Sequence, residues 1–247
     1  MTREEKETLY SFLDIAARAL ADGARPQGSM PVFYDDTESK ADDGTGSDSA
    51  MDARSGAPSG LDSLAAIANA VSSCERCDLC RGRKNAVPGV GPARPLVLVV
   101  GEGPGADEDA KGEPFVGKAG QLLDRMLGAI GLSRAENCFI ANIVKCRPPE
   151  NRDPTPEEAA ACAPFLEAQI RALRPKAILA VGRVAAQNLL KTQNGIGQLR
   201  GNVYDYDGIP LMPTYHPSAL LRDENLKRPA WEDLKRFKTE LLEDVER

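Results

Sequence analysis

One junction constrains this chain more than any other stretch. The unbroken apolar run Leu96 to Val100 opens directly into Gly101-Glu102-Gly103-Pro104-Gly105. A Leu/Val run ending in Gly and Pro reads as a buried strand whose loop brings bare backbone close to a ligand. Two further groups end short apolar runs in the same way: Asn142-Ile143-Val144-Lys145-Cys146 and His216-Pro217-Ser218. Between the first two lies Phe115-Val116-Gly117-Lys118. In a parallel α/β sheet the ends of such runs share one rim, where ligands bind. These separated motifs are therefore expected to converge on one pocket.

The rest of the core repeats the same rhythm. Strands are predicted at Leu96–Val100, Cys138–Ile143, Ala177–Val181 and Pro210–Tyr215. Between them lie helical stretches, such as the stripe Leu122, Leu123, Met126, Leu127 and Ile130. Thr155-Pro156-Glu157-Glu158 is a helix start: a Thr cap, Pro in the first turn, then acids. Further helices are read at Leu61–Val71, at Val184–Lys191 and after Pro229. Alternating strands and helices predict a three-layer α/β/α domain around a central four-stranded, mostly parallel sheet, covering 61–247. Ahead of it, Leu9, Phe12, Leu13, Ile15, Ala16 and Leu20 suit an amphipathic helix within 1–22. Residues 23–60 are rich in Asp, Ser, Gly and Ala, a composition that predicts a disordered acidic linker.

Charge has to be divided along the chain before it is informative. The whole is −6, yet residues 22–62 carry nine acidic and three basic side chains. The region from Ser63 onward is close to neutral, so the acidity does not argue against a polyanionic partner. No apolar stretch approaches the roughly 20 residues that span a bilayer, and the N-terminus has no signal-like core. The sequence is read as soluble and cytoplasmic, with no membrane partner.

Cysteine placement points to a cofactor. Cys74, Cys77 and Cys80 form a C-x2-C-x2-C run, while Cys146 and Cys162 come from a second region. Cys138, in an apolar strand, reads as an ordinary buried thiol. Zinc sites usually pair two close knuckles or add histidines, and the single histidine here lies elsewhere. Four thiolates from two regions suit an iron–sulfur cluster, with either Cys74 or Cys80 spare.

In order and spacing, the Gly101–Gly105 motif, Glu108-Asp109, Pro114-Phe115-Val116-Gly117-Lys118-Ala119-Gly120, Asn142 through Pro149 and His216-Pro217-Ser218 resemble the family 4 uracil-DNA glycosylases. The resemblance covers about Cys77 to Lys238. It implies a monomeric enzyme that hydrolyses the glycosidic bond of a flipped-out deoxyuridine in single- or double-stranded DNA, for base-excision repair. It also implies a [4Fe–4S] cluster on Cys77, Cys80, Cys146 and Cys162, with Cys74 spare. The base would stack on Phe115 and be read by the Asn142 amide, with Gly103, Gly105 and Lys118 in the binding loops. His216 would stabilise the departing uracil anion. Glu102 would sit beneath the sugar cation or orient water, with Glu108 second for that role. Arg147 and Arg222 would meet phosphates, and Leu220 and Leu221 would wedge the base stack. The runner-up is a non-catalytic module that binds uracil-DNA or accompanies a DNA polymerase. The N-terminal segment is the candidate contact for a replication or repair protein.

Overall fold

The structure, a computed structural model, describes residues 61 and 63–242. The expected amphipathic helix in 1–22 and the acidic segment 23–60 lie outside the described residues. Four strands stand where apolar runs predict them: β1 Val97–Gly101, β2 Cys138–Asn142, β3 Ala177–Val181 and β5 Ile209–Thr214. A fifth, β4 Tyr204–Tyr206, completes the order β2-β1-β3-β5-β4. β1 pairs in parallel with β2 and β3, β3 with β5, and only the edge strand β4 runs antiparallel.

The added strand was legible in one dipeptide. Tyr206 and Ile209 flank Asp207-Gly208, whose φ values are 49° and 83°. Two successive left-handed residues are what a tight hairpin requires, and Asp-Gly supplies them.

Strand residues alternate between two cores. Leu98, Val100, Phe139 and Ala141 face one apolar cluster, shared with helices α1 Leu64–Ser72 and α5 Pro156–Leu173. Val97, Val99, Cys138 and Ile140 face the other, shared with α4 Lys118–Gly128 and α9 Lys227–Leu241. Helices on both faces explain why the strands read as continuous apolar runs. The predicted start of α5 is realised as a capping box: Glu158 N donates to Thr155 Oγ1, and Thr155 N to Glu158 Oε2. Short helices α2 Leu79–Gly82, α3 Ala106–Lys111, α6 Arg183–Leu190, α7 Ile196–Leu199 and α8 Pro217–Arg222 complete the described elements, with single 3₁₀ turns at Pro149–Asn151 and Glu224–Leu226. Among the described residues no helix is long and apolar enough to cross a membrane.

Parallel register sets the strand ends flush. Gly101 stands opposite Asn142, and Val181 opposite Thr214. The chain leaves β5 through Tyr215 and His216 on that same rim. A buried polar network fixes this exit: Asp233 of α9 accepts from the Thr214 hydroxyl at 2.7 Å and from Arg200 at 3.0 and 2.7 Å. Replacing Asp233 by Ala leaves the half-buried Arg200 guanidinium without its counter-charge. The expected loss is about 3 kcal/mol, or roughly 10 °C in Tm, measured by thermal unfolding of the full chain.

Candidate active site

At the rim of the sheet the loops enclose a cleft of about 490 Å³, lined by Glu102, Gly103, Gly105, Glu108, Phe115 and His216 among others. A larger groove of about 890 Å³ between α5 and the β4–β5 hairpin holds none of the candidate residues.

Phe115 forms one wall, in a backbone conformation that a bulky residue rarely adopts (φ 54°). Its surroundings hold it there. Arg134 donates to Pro114 O at 2.9 Å and to Phe115 O at 2.8 Å, and is itself braced by Asp124. A Cβ on Gly120 would stand 1.8 Å from Phe115 O, and one on Gly101 would stand 2.5 Å from the ring. Only glycine at those two positions permits the approach.

Glu108 lies in the cleft wall with its carboxylate committed. Oε1 accepts from the Val116 and Gly117 amides, both at 2.9 Å, and Oε2 from Gly105 N at 3.1 Å. It joins the Gly-rich loop to the Phe115 loop. That commitment leaves it poorly placed for the water-handling role expected second after Glu102.

Asn142, at the end of β2, is 1% exposed, and its Oδ1 is buried with no hydrogen-bond partner. That oxygen and the Phe115 ring tip each lie 2.5 Å from the position a Cβ on Gly101 would take, so the two are neighbours. A buried acceptor left unpaired is costly, which makes it a candidate for a ligand donor. Its main-chain oxygen accepts from Lys145 Nζ at 2.9 Å.

His216 caps α8. Its Nδ1 accepts from Ser218 N at 3.1 Å and stands 2.8 Å from the Ser218 hydroxyl. An amide donor fixes Nδ1 as the acceptor and leaves the proton on Nε2. The ring lies 5.6 Å from that of Phe115, tilted by 31°. Burial pushes the imidazole pKa down to about 4, helped by Arg222 and opposed by Glu108, so the ring is neutral at pH 7. Glu102 moves the other way: burial first, then Asp153, raises its pKa to about 7, against Arg183 and Arg222.

Other candidates are placed differently from expectation. Leu220 is 0% exposed within the second core and is unavailable as a wedge; half-buried Leu221 packs on the same cluster. The turn of α8 sets both against the second core. Lys118 is exposed in the first turn of α4, and Ala119 lines the cleft instead. Arg222 stands exposed at the cleft rim, while Arg147 donates to Asn151, a cleft residue. Asp153 and Arg183, which form an ion pair, also line the cleft and were missed. Gly182-Arg183 directly follows a predicted strand, the signal that singled out Gly101-Glu102.

Behind β2 lies a second, smaller cavity, lined by Cys74, Cys77, Cys80, Cys146 and Cys162. Cys74, expected to be spare, is therefore in the same cavity as the other four. All six cysteines are free thiols, and Cys138 lies apart in the opposite core. Arg83 donates to Cys146 Sγ at 3.1 Å, and Lys145 N donates to Cys162 Sγ at 3.3 Å. Among the described residues no three such side chains close tightly enough around a single metal ion.

Residues 88–235 match the family model of the Uracil DNA glycosylase superfamily. The chain is 44% identical over 191 residues to a Type-4 uracil-DNA glycosylase of Saccharolobus solfataricus, covering 73% of this chain and 88% of that one. It is also 44% identical to Type-4 uracil-DNA glycosylases of Archaeoglobus fulgidus (72% of this chain, 92% of the relative) and Thermotoga maritima (70% and 92%).

The single histidine makes its environment directly measurable. NMR of labelled imidazole should give one set of signals, with the Nε2–H tautomer at pH 7 and a midpoint near pH 4 in the folded protein. The unfolded state binds the proton more readily, so this group makes stability fall as pH drops from about 6.5 toward 4. A midpoint near 6.5 would place the ring in open solvent.

Proposed function

Because this chain belongs to the uracil DNA glycosylase superfamily, we propose that it works as a type-4 enzyme, hydrolysing the bond between deoxyribose C1′ and uracil N1 in DNA. The observation that carries this reading is the unpartnered Asn142 Oδ1 beside the Phe115 ring, which itself lines one cleft with a neutral His216 and a half-buried Glu102.

A base must leave the stack to reach such a cleft. Uracil would lie against Phe115 with N3–H donating to Asn142 Oδ1 and the amide N–H donating to O4. Cytosine presents a lone pair at N3 and an amino group at C4, so a fixed amide mismatches it at both positions. As C1′–N1 breaks, its electron pair goes to the uracil ring and is shared with O2. His216 Nε2–H would donate to that oxygen, and a neutral donor does so without surrendering its proton. Positive charge grows on the sugar, where ionised Glu102 would stabilise it and orient the water that adds hydroxide to C1′. The water's proton goes to solvent or the departing uracil. Arg147, Arg183 and Arg222 around the cleft suit phosphates, which predicts salt-dependent binding.

The thiol cavity supports a [4Fe–4S] cluster in this reading. Cys77, Cys146 and Cys162, with Cys74 or Cys80, would hold it; a cube spreads its thiolates wider than a single ion does. The chemistry of the surroundings fits an anionic group. Lys145 is fully buried, yet its ammonium meets only neutral acceptors, Asn142 O and Gln169 Oε1 at 2.7 Å. Neither Lys145 nor Arg83 is paired with a carboxylate among the described residues. The cluster would supply a structural cross-link between the segment after α1 and the loop after β2, and no chemistry to bond cleavage.

Single-turnover excision from a uracil-containing oligonucleotide tests the assignment. The rate should rise with pH through about 7 as Glu102 ionises, and Glu102→Gln should be slow with that rise abolished. Asn142→Asp should lose at least about 10²-fold on uracil, and His216→Ala about 10²- to 10³-fold with DNA binding little changed. An Asn142→Asp rate equal to the parent's would remove this residue from base recognition.

A further inference from the structure

The cavity behind β2 holds one thiol more than a four-ligand cluster takes. Its two sides differ in character. Cys146 and Cys162 are buried and carried by the folded core, one in the loop after β2 and one within α5. They also accept fixed hydrogen bonds, from Arg83 and from the Lys145 amide. The opposite side is a short segment carrying three half-buried cysteines. Two of those three would complete the set.

We propose that Cys74 and Cys80 are interchangeable ligands for one corner of the cluster, with Cys77, Cys146 and Cys162 fixed. The inference rests on the cluster reading above. Cys77 stands midway, three residues from each alternative, and the chain bends around it. Cys74 N donates to Val71 O as α1 ends, and Cys80 N donates to Cys77 O as α2 begins. Both flanking thiols thereby line the same cavity. Both are half-buried, Cys74 against the first core, and α2 spans only four residues, so unwinding it to re-aim Cys80 disturbs a single turn. Arg83 Nη1 touches Cys146 Sγ and Cys74 O together, at 3.1 and 3.0 Å, so one cation sits between a fixed ligand and one of the two alternatives. Damage to one thiol would leave a complete ligand set in place.

The test counts iron and acid-labile sulfide per chain in full-length protein purified without oxygen. Cys74→Ser and Cys80→Ser should each retain about four iron atoms per chain, with visible circular dichroism bands that differ from each other because a different thiolate fills the corner. The double variant and Cys77→Ser should both lose the cluster, and Cys77→Ser serves as the reference for a chain lacking the cross-link. Loss in one single variant but not the other would assign a fixed ligand and overturn the exchange, as would loss in both. A double variant with full iron would place the fourth ligand elsewhere and overturn it too. An iron-free parent, or one carrying zinc, would instead bring down the cluster reading itself.

Discussion

Three backbone amides from two loops converge on the carboxylate of Glu108, and the shape of the cleft depends on that convergence. Gly105 belongs to the loop leaving β1; Val116 and Gly117 belong to the loop that presents Phe115. Neither loop has a regular ladder to hold it, so without Glu108 these amides would face a partly dry interior unpaired. With it, the Gly-rich turn and the aromatic wall move as one body. Arg134 does the complementary work on the carbonyl side of the Phe115 loop. A carboxylate thus grips the strained segment by its amides and a guanidinium by its carbonyls, and the left-handed Phe115 conformation persists because both grips are satisfied.

The same dryness divides two titratable groups of the cleft. Removal from water disfavours charge on each: the carboxyl of Glu102 is pushed up and the imidazole of His216 pushed down. One environment therefore yields a neutral hydrogen-bond donor and a carboxylate poised near neutrality. Arg222 acts on both, disfavouring the imidazolium and favouring the carboxylate.

The rim was legible in the sequence because its signals are local. Apolar runs ending in Gly-Glu-Gly, Asn or His-Pro name three strand ends, and parallel pairing brings them together without further information. The helix start at Thr155 was equally direct. What escaped reading depended on facing directions or on long-range pairing. Leu220 looked like a surface wedge until the turn of α8 pointed it inward. Glu108 looked like a free carboxylate because the amides that occupy it include two lying eight and nine residues away. Arg134 acts from the far side of α4, and no spacing rule links it to Phe115. Cys74 was set aside by analogy with a pattern, whereas folding brings the whole triplet to one cavity.

The floor beneath the Phe115 ring is made of main chain. Gly101 contributes bare backbone to it, with the ring occupying the volume where a side chain on Gly101 would have to go, and Gly120 lies as closely against the Phe115 main chain. Such a surface cannot be resculpted by stepwise substitution, since the smallest possible change, one methyl group, already collides. Variation in which base this scaffold accepts is therefore channelled to the few side chains at its edge, and divergence of the chain elsewhere can proceed while the floor stays invariant in shape.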